Sequence, residues 1–196
     1  MGEIKSAREI AMEKVKQLDE ATEEDRLRWK YNPEGGKLAV RYTNEDSNLI
    51  AELNAYEEKA RSYVITGAVN ILIRNISMPG NDTAQRNNKK AMDGLKLLKN
   101  DKVAIENVFS KIRRIFSHYL EEGEQQRSQV YESLKADFTA KVQQAMQQQL
   151  GTSAQMNIDI ENQPQFQEEW RKVQNQLDSQ YLALLEEYKQ ELSNIS

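Results

Sequence analysis

The chain lacks cysteine and has little histidine, proline or glycine. Without cysteine, its 196 residues can form neither a disulfide nor a thiolate metal site, and catalysis through a cysteine thiol is excluded. The single histidine also excludes a histidine-rich metal site. With only 3 prolines and 8 glycines, there are few positions at which a helix must end. The composition therefore favours long helices and an all-α fold.

Long apolar runs are absent as well. A membrane-spanning helix needs about 20 consecutive apolar residues, and a secretory signal needs a continuous apolar stretch. Hydrophobic residues make up 38 % of this chain, and charged residues, at 30 %, interrupt them throughout. We therefore expect a cytoplasmic protein without a transmembrane segment, in which the apolar residues form stripes along amphipathic helices.

The longest helical pattern covers residues 102–149, which contain no proline and only one glycine, Gly123. Apolar residues recur there at spacings of 4 and 3, as along a coiled-coil seam. The seam consists of Ile105, Phe109, Ile112, Phe116 and Tyr119, followed by Val130, Leu134, Phe138, Val142 and Ala145. A continuous helix of this length would extend about 70 Å. Because residues 121–129 are polar, a break near Gly123 stays open as the alternative.

A second strong pattern covers residues 164–193, where Pro164 suits the first position of a helix. Its apolar stripe consists of Phe166, Trp170, Val173, Leu177, Tyr181, Leu184, Tyr188 and Leu192. The linker at residues 151–163 allows the chain to reverse, and Met156, Ile158 and Ile160 alternate there as in a short strand. We predict that residues 102–150 and 164–193 form an antiparallel helical hairpin, which makes residues 101–196 one domain.

Residues 1–100 are predicted to form a separate helical region. Apolar spacing indicates helices over residues 2–18, 46–76 and 82–98, and Thr22 with Asp25 offers a capping signal. Residues 28–42 give conflicting signals, because polar and apolar residues alternate on both sides of a segment rich in glycine and proline. A short β-hairpin and a helical start both stay open for this segment.

Charge is unevenly distributed along the chain. Residues 85–114 carry 9 basic and 3 acidic side chains, net +6, whereas residues 115–196 carry 6 and 13, net −7. The basic patch consists of Lys89, Lys90, Lys96, Lys99, Arg113 and Arg114. We expect these oppositely charged segments to attract one another when helices pack. Weak binding of nucleic acid or an anionic membrane surface is the alternative.

No recognisable catalytic motif occurs. The single histidine, His118, lies near Glu121, Glu122 and Glu124, but consecutive residues of a helix point in different directions and do not form a metal site. Neither a glycine-rich phosphate loop nor a serine–histidine–acid arrangement can be traced. We expect a protein that is not an enzyme and that has no cofactor.

The long apolar stripes favour a role in protein–protein contacts. Candidate interface residues are Phe166, Trp170, Leu177, Tyr181, Leu184 and Tyr188. We expect a scaffold or assembly protein that acts through coiled-coil contacts, either as a homo-oligomer or with another protein. A chaperone-like, client-binding protein is the alternative within this class.

Two segments resemble a known family. The sequences EIKSAREIA at residues 3–11 and QPQFQEEW at residues 163–170 resemble those of a small family of uncharacterised bacterial helical proteins. The resemblance covers most of the chain and implies an all-helical fold. It implies no activity and supplies no site residues.

Overall fold

The computed structural model describes residue 6, residues 21–150 and residues 159–196, and within these residues it contains helices and no strands. The helices are α1 (Glu23–Glu45), α2 (Leu49–Leu53), α3 (Glu58–Asn75), α4 (Asp82–Leu98), α5 (Lys102–Leu120), α6 (Glu122–Leu150) and α7 (Pro164–Asn194). The predicted all-α class is therefore confirmed. The predicted helix at residues 2–18 and the strand predicted around residues 156–158 lie outside the described residues.

The chain divides into two compact units. The first comprises residues 1–76 and 89–100, and the second comprises residues 77–88 and 101–196, so α4 contributes residues to both. Within residues 21–150 and 159–196, no helix combines the length and the apolar character that crossing a bilayer requires.

In the first unit, α1 begins at the predicted capping signal. The Thr22 hydroxyl accepts a hydrogen bond from the Asp25 backbone N–H at 3.2 Å, and the Asp25 carboxylate accepts one from the Thr22 N–H at 3.3 Å. This reciprocal capping satisfies two backbone donors at the helix start. The helix then continues through residues 28–42, so the β-hairpin interpretation of this segment is wrong.

Close packing of α1 against α3 explains why this glycine-rich segment is helical. Gly35 is buried, and a Cβ placed on it would lie 2.8 Å from the backbone nitrogen of Ala68 in α3. Because glycine has no Cβ, Gly35 permits this close backbone approach, and its role here is not to form a turn. Pro33 lies inside α1 with its ring on the exposed side, where it removes one helical hydrogen bond.

The helix predicted over residues 46–76 is interrupted in the structure. Asn48 caps α2 by accepting a hydrogen bond from the Ala51 N–H at 3.1 Å, and α3 starts only at Glu58. The predicted apolar stripe is nevertheless buried on both sides of the interruption. The core of this unit includes Leu38, Leu49, Leu53, Val64, Ala68, Leu72, Ala91 and Leu95.

In the second unit, α5 and α6 follow one another with a one-residue interruption. Asp101 caps α5 through its carboxylate, which accepts from the Ala104 N–H at 2.9 Å. Backbone hydrogen bonding continues through Glu121, whose N–H donates to Ser117 and whose carbonyl accepts from Gln125. The local backbone angle of Glu121, ψ −76°, departs from the helical value. The helix therefore breaks at Glu121, two residues before Gly123. This is close to the position at which the sequence pattern allowed a break.

The last helix, α7, packs antiparallel to α5 and α6, as predicted. It begins with Pro164 in the first helical position. Its residues pair with α5 and α6 in reverse order along the chain, through contacts between Lys111 and Glu191, His118 and Tyr181, and Phe138 and Phe166. One long helix thus covers parts of two shorter ones.

Candidate docking groove

An open groove of about 660 Å³ runs between α5, the start of α6 and α7. It is lined by Arg114, Ile115, His118, Gln126, Val173, Gln176, Leu177, Gln180, Tyr181 and Leu184. A smaller recess of about 350 Å³ shares Arg114 and Ile115 with it and adds Ser110, Lys111 and Tyr188. The two recesses therefore form a continuous groove along α5.

The α7 wall of the groove is largely apolar. Val173, Leu177 and Leu184 follow one another at spacings of 4 and 7, which places them on one helix face. Leu184 keeps 42 % of its surface exposed, whereas Leu185 beside it is 2 % exposed and packs inside the hairpin. The helix thus has more apolar surface than its partner helices cover, and Leu184 is the part of this surface that faces the groove.

The α5 wall of the groove carries two cations, Lys111 and Arg114. Lys111, Arg114 and His118 recur at spacings of 3 and 4, so they share one face of α5. The Lys111 ammonium group contacts both carboxylate oxygens of Glu191 at 2.9 Å, and this hydrogen bonding raises the pKa of Lys111. Arg114 is exposed and forms no ion pair with any residue that the structure describes. The residues that line the groove include no carboxylate.

His118 is fixed at both ring nitrogens. Its Nδ1 lies 2.8 Å from the Tyr181 hydroxyl, and its Nε2 lies 2.8 Å from a carboxylate oxygen of Glu122. Tyr119 packs its ring edge-on against Tyr181, with ring centroids 5.2 Å apart. The imidazole therefore has a defined orientation in the groove wall.

The acidic residues near His118 do not converge on a metal site. Glu122 contacts His118, and Glu124 turns instead toward Arg127, at 2.9 Å. Glu121 occupies the interruption between α5 and α6. Over the described ranges, no group of three or more histidine, aspartate or glutamate side chains is arranged to hold a metal ion.

Arg127 ties α7 to the helices beside the groove. Its side chain is only 10 % exposed, and its guanidinium contacts Asp178 of α7 at 3.2 Å, Glu124 at 2.9 Å and the Tyr119 carbonyl oxygen at 3.1 Å. It also stacks over the Tyr119 ring, 4.1 Å from the centroid. Burial, together with the nearby Asp178 carboxylate, raises the pKa of Tyr119. These contacts of Arg127 join the two sides of the hairpin across the interruption between α5 and α6.

The six predicted interface residues fall into two groups. Leu177, Tyr181 and Leu184 line the groove. Tyr188 lines the smaller recess of the groove, beside the Lys111 ammonium group. The other two pack at one end of the hairpin: Phe166 is buried against Tyr131 and Phe138, and Trp170 packs against Tyr131. The apolar spacing does not point to Gln176 and Gln180, which also line the groove, because a polar residue beside a seam carries no distinctive pattern.

The predicted basic patch is distributed over both units, and most of its members are engaged. Lys90 pairs with Asp46 and Arg113 pairs with Glu106. Lys99 is 7 % exposed, and burial lowers its pKa. Lys89 is exposed and Lys96 is half-buried. Of the six residues, Arg114 is the one that lines the groove.

This geometry defines the class of protein: a helical protein whose antiparallel hairpin leaves an amphipathic groove open along one side. The chain belongs to a family of unknown function, DUF6657, whose model matches residues 50–194. All the residues that line the groove lie inside the matched region. No curated protein matches the chain. No solved structure matches it either.

Proposed function

We propose that this protein is a non-catalytic scaffold or assembly protein that docks an amphipathic helix of a protein partner in the hairpin groove. One observation carries the proposal: an apolar wall on α7 faces a cationic wall on α5 across a single open groove. An acidic amphipathic helix matches both walls, with apolar residues toward α7 and carboxylates toward α5.

The groove lies where a third helix can pack against two antiparallel ones. Two antiparallel helices leave a depression along each side of their contact, and helices pack at interaxial distances of about 8 to 10 Å. Leu177 and Leu184 are seven residues apart, the repeat at which one helix presents knobs to another. Docking would remove the exposed part of Leu184 from water, and complete burial of such a side chain contributes roughly 1.5 to 3 kcal/mol.

The electrostatic features favour an acidic partner over nucleic acid. Lys90 and Arg113, which the sequence offered as phosphate contacts, are already paired with Asp46 and Glu106. Arg114 lies beside the apolar wall, where a carboxylate on a docked helix can reach it. Tyr181 and Glu122 hold both His118 nitrogens, and this supports a role of the imidazole in shaping the groove wall.

A peptide titration tests this proposal. Because the chain has no cysteine, a fluorophore attached to Gln180→Cys reports on the groove alone. A synthetic acidic helix with an apolar stripe should change the fluorescence, and a scrambled peptide of identical composition should not. Binding should be lost in Leu184→Asp and kept in Leu182→Asp, since Leu182 is 52 % exposed but does not line the groove. Equal responses to both peptides, or none, would contradict the proposal.

A further inference from the structure

We infer that one face of α1 docks on an anionic phospholipid surface, where its apolar side chains enter the headgroup region and its cations lie against the lipid phosphates. This face belongs to the first unit, whereas every residue that lines the groove belongs to the second. We name it the α1 surface, and it consists of Trp29, Pro33 and Val40 together with Arg26, Lys30, Lys37 and Arg41.

Cations are concentrated in this part of the chain. Residues 26–41 carry 1 acidic side chain, that of Glu34, and 5 basic ones, net +4: Arg26, Arg28, Lys30, Lys37 and Arg41. The whole chain has a net charge of −4. This stretch of α1 is therefore opposite in sign to the chain as a whole, which favours a negatively charged partner.

The helical repeat places four of these cations beside exposed apolar residues. At about 100° per residue, Trp29, Val40 and Pro33 lie within about 40° of one another around α1. The next arc, about 60° wide, contains only cations among the residues that have charged side chains. These are Arg26, Lys30, Lys37 and Arg41, and all seven residues of the α1 surface are exposed.

Two of the four cations have no anionic partner. Lys37 pairs with Glu34 at 2.9 Å, and Arg41 pairs with Glu52. Arg26 and Lys30 form no ion pair with any residue in the described part of the chain. The Lys30 ammonium group lies over the Tyr31 ring, 4.9 Å from its centroid. Arg26 and Lys30 are therefore the cations that can bind lipid phosphates without first losing a carboxylate.

The apolar residues distinguish a lipid surface from other anionic partners. Trp29 keeps 48 % of its surface exposed and Val40 keeps 46 %, about 16 Å apart along the helix. Tryptophan is enriched at membrane interfaces, and a helix with a basic side next to an apolar side lies in the interface plane. Nucleic acid would neutralise the cations but offers no apolar phase for Val40. A helix of an acidic protein would find one convex helix here, without the second wall that the groove has.

Tryptophan fluorescence tests the inference. The chain has 2 tryptophans, so in Trp170→Phe the tryptophan emission comes from Trp29 alone. This emission should shift to shorter wavelength with vesicles of phosphatidylglycerol and phosphatidylcholine in equal parts, and not with phosphatidylcholine alone. No shift with the anionic vesicles would overturn the inference. An equal shift with poly-glutamate or with a single-stranded oligonucleotide would also overturn it.

A matched pair of charge reversals tests which side of α1 binds. Cosedimentation with the anionic vesicles measures the partition coefficient of each variant. Lys30→Glu should lower this coefficient by about tenfold, because one cation near an anionic surface contributes roughly fivefold and its reversal removes more. Arg28→Glu makes the same charge change about 160° around the helix, and it should stay within about threefold of the unsubstituted chain. Equal losses in the two variants would overturn the assignment to this face.

A second matched pair tests the insertion of apolar side chains. Val40→Asp should lower the partition coefficient by about fivefold or more, because a carboxylate would have to enter the headgroup region. Val103→Asp places the same carboxylate at a valine that is 73 % exposed outside the α1 surface, and it should change the coefficient by less than about twofold. Circular dichroism checks that every variant keeps its helical content. Equal binding of the two aspartate variants would exclude insertion and overturn the inference.

Discussion

Gly67 of α3 lies directly against the backbone of Asn32 in α1. A Cβ placed on Gly67 would lie 2.8 Å from the Asn32 carbonyl carbon and closer still to its oxygen. The relationship is reciprocal, because a Cβ on Gly35 of α1 would meet the backbone of Val64 and Ala68 in α3. The two helices therefore touch through their main chains, and the contact depends on a glycine from each.

We predict that Gly67→Ala and Gly35→Ala each lower the free energy of unfolding by about 3 kcal/mol or more, because the backbones must separate to admit a methyl group. Urea denaturation followed by circular dichroism measures the change. The control is Gly36→Ala, whose nearest neighbour would be a side-chain carbon of Ile71 at 3.4 Å. That variant should be neutral or more stable by up to about 1 kcal/mol, since alanine favours helix over glycine. Similar effects of Gly35→Ala and Gly36→Ala would contradict the close crossing.

Arg127→Ala should lower the free energy of unfolding by about 2 kcal/mol, because it leaves the Asp178 carboxylate and the Tyr119 carbonyl without their shared donor. Arg127→Lys should recover less than half of this loss, since an ammonium group lacks the planar fork that reaches all three acceptors. Chemical denaturation measures both variants. Arg171→Ala removes an exposed cation of α7 and should change stability by less than about 0.5 kcal/mol. If Arg127→Lys recovered the full stability, the planar guanidinium would not be important.

The aromatic cluster at the other end of the hairpin gives a third prediction. Phe166 is 2 % exposed and packs edge-on against Tyr131 and Phe138, with ring centroids 5.6 and 5.7 Å apart. Phe166→Ala should lower the free energy of unfolding by about 3 to 5 kcal/mol, because the neighbouring side chains of α7 cannot fill the cavity that it leaves. Thermal unfolding measures the loss, with Leu182→Ala as the exposed control. A loss below about 1 kcal/mol would mean that the cluster contributes little.

The raised pKa of Tyr119 predicts a loss of stability in alkali. Burial and then Asp178 raise this pKa from its ordinary value of 10.0, so the folded protein holds the hydroxyl proton more tightly than the unfolded chain. The resulting stabilisation is complete below about pH 10 and is lost as the pH rises through the folded pKa. Tyr119→Phe removes this titration.

Unfolding free energies measured between about pH 8 and about pH 11 test this prediction. Tyr119→Phe should lose less stability over that range than the unsubstituted protein. Some loss should remain, because burial and then Asp93 raise the pKa of Tyr42 in the first unit as well. An identical pH dependence of stability in the two proteins would count against a raised pKa of Tyr119.

Local signals in the sequence predicted the hairpin well. Asp101 and Pro164 mark helix starts through chemistry that acts within one turn, and the apolar spacing along α7 repeats over its whole length. The structure of residues 28–42 is harder to predict, since a pair of glycines suits both a turn and a close helix crossing. The choice between them depends on Gly67, more than thirty residues further along the chain, and no local pattern contains that information.

The groove was predictable only in part. Leu184 and Leu185 both fit the apolar face of α7, and spacing alone does not decide which of them turns toward α5. Packing buries Leu185 and leaves Leu184 at the groove, because the apolar face of α7 is wider than the surface that α5 and α6 cover. The cationic wall could have been found from the spacing of Lys111 and Arg114, three residues apart on the polar side of α5.

The interruption at Glu121 is bridged by α7. Tyr181 reaches His118 before the interruption, and its hydroxyl lies 3.1 Å from where a Cβ on Gly123 would be, after it. Bending at this hinge would therefore require Tyr181 and Arg127 to release their contacts together. These contacts are present without a partner, so the helix that we propose to dock in the groove would meet walls whose separation is already set. Such preorganisation reduces the entropy lost on association and favours slow dissociation.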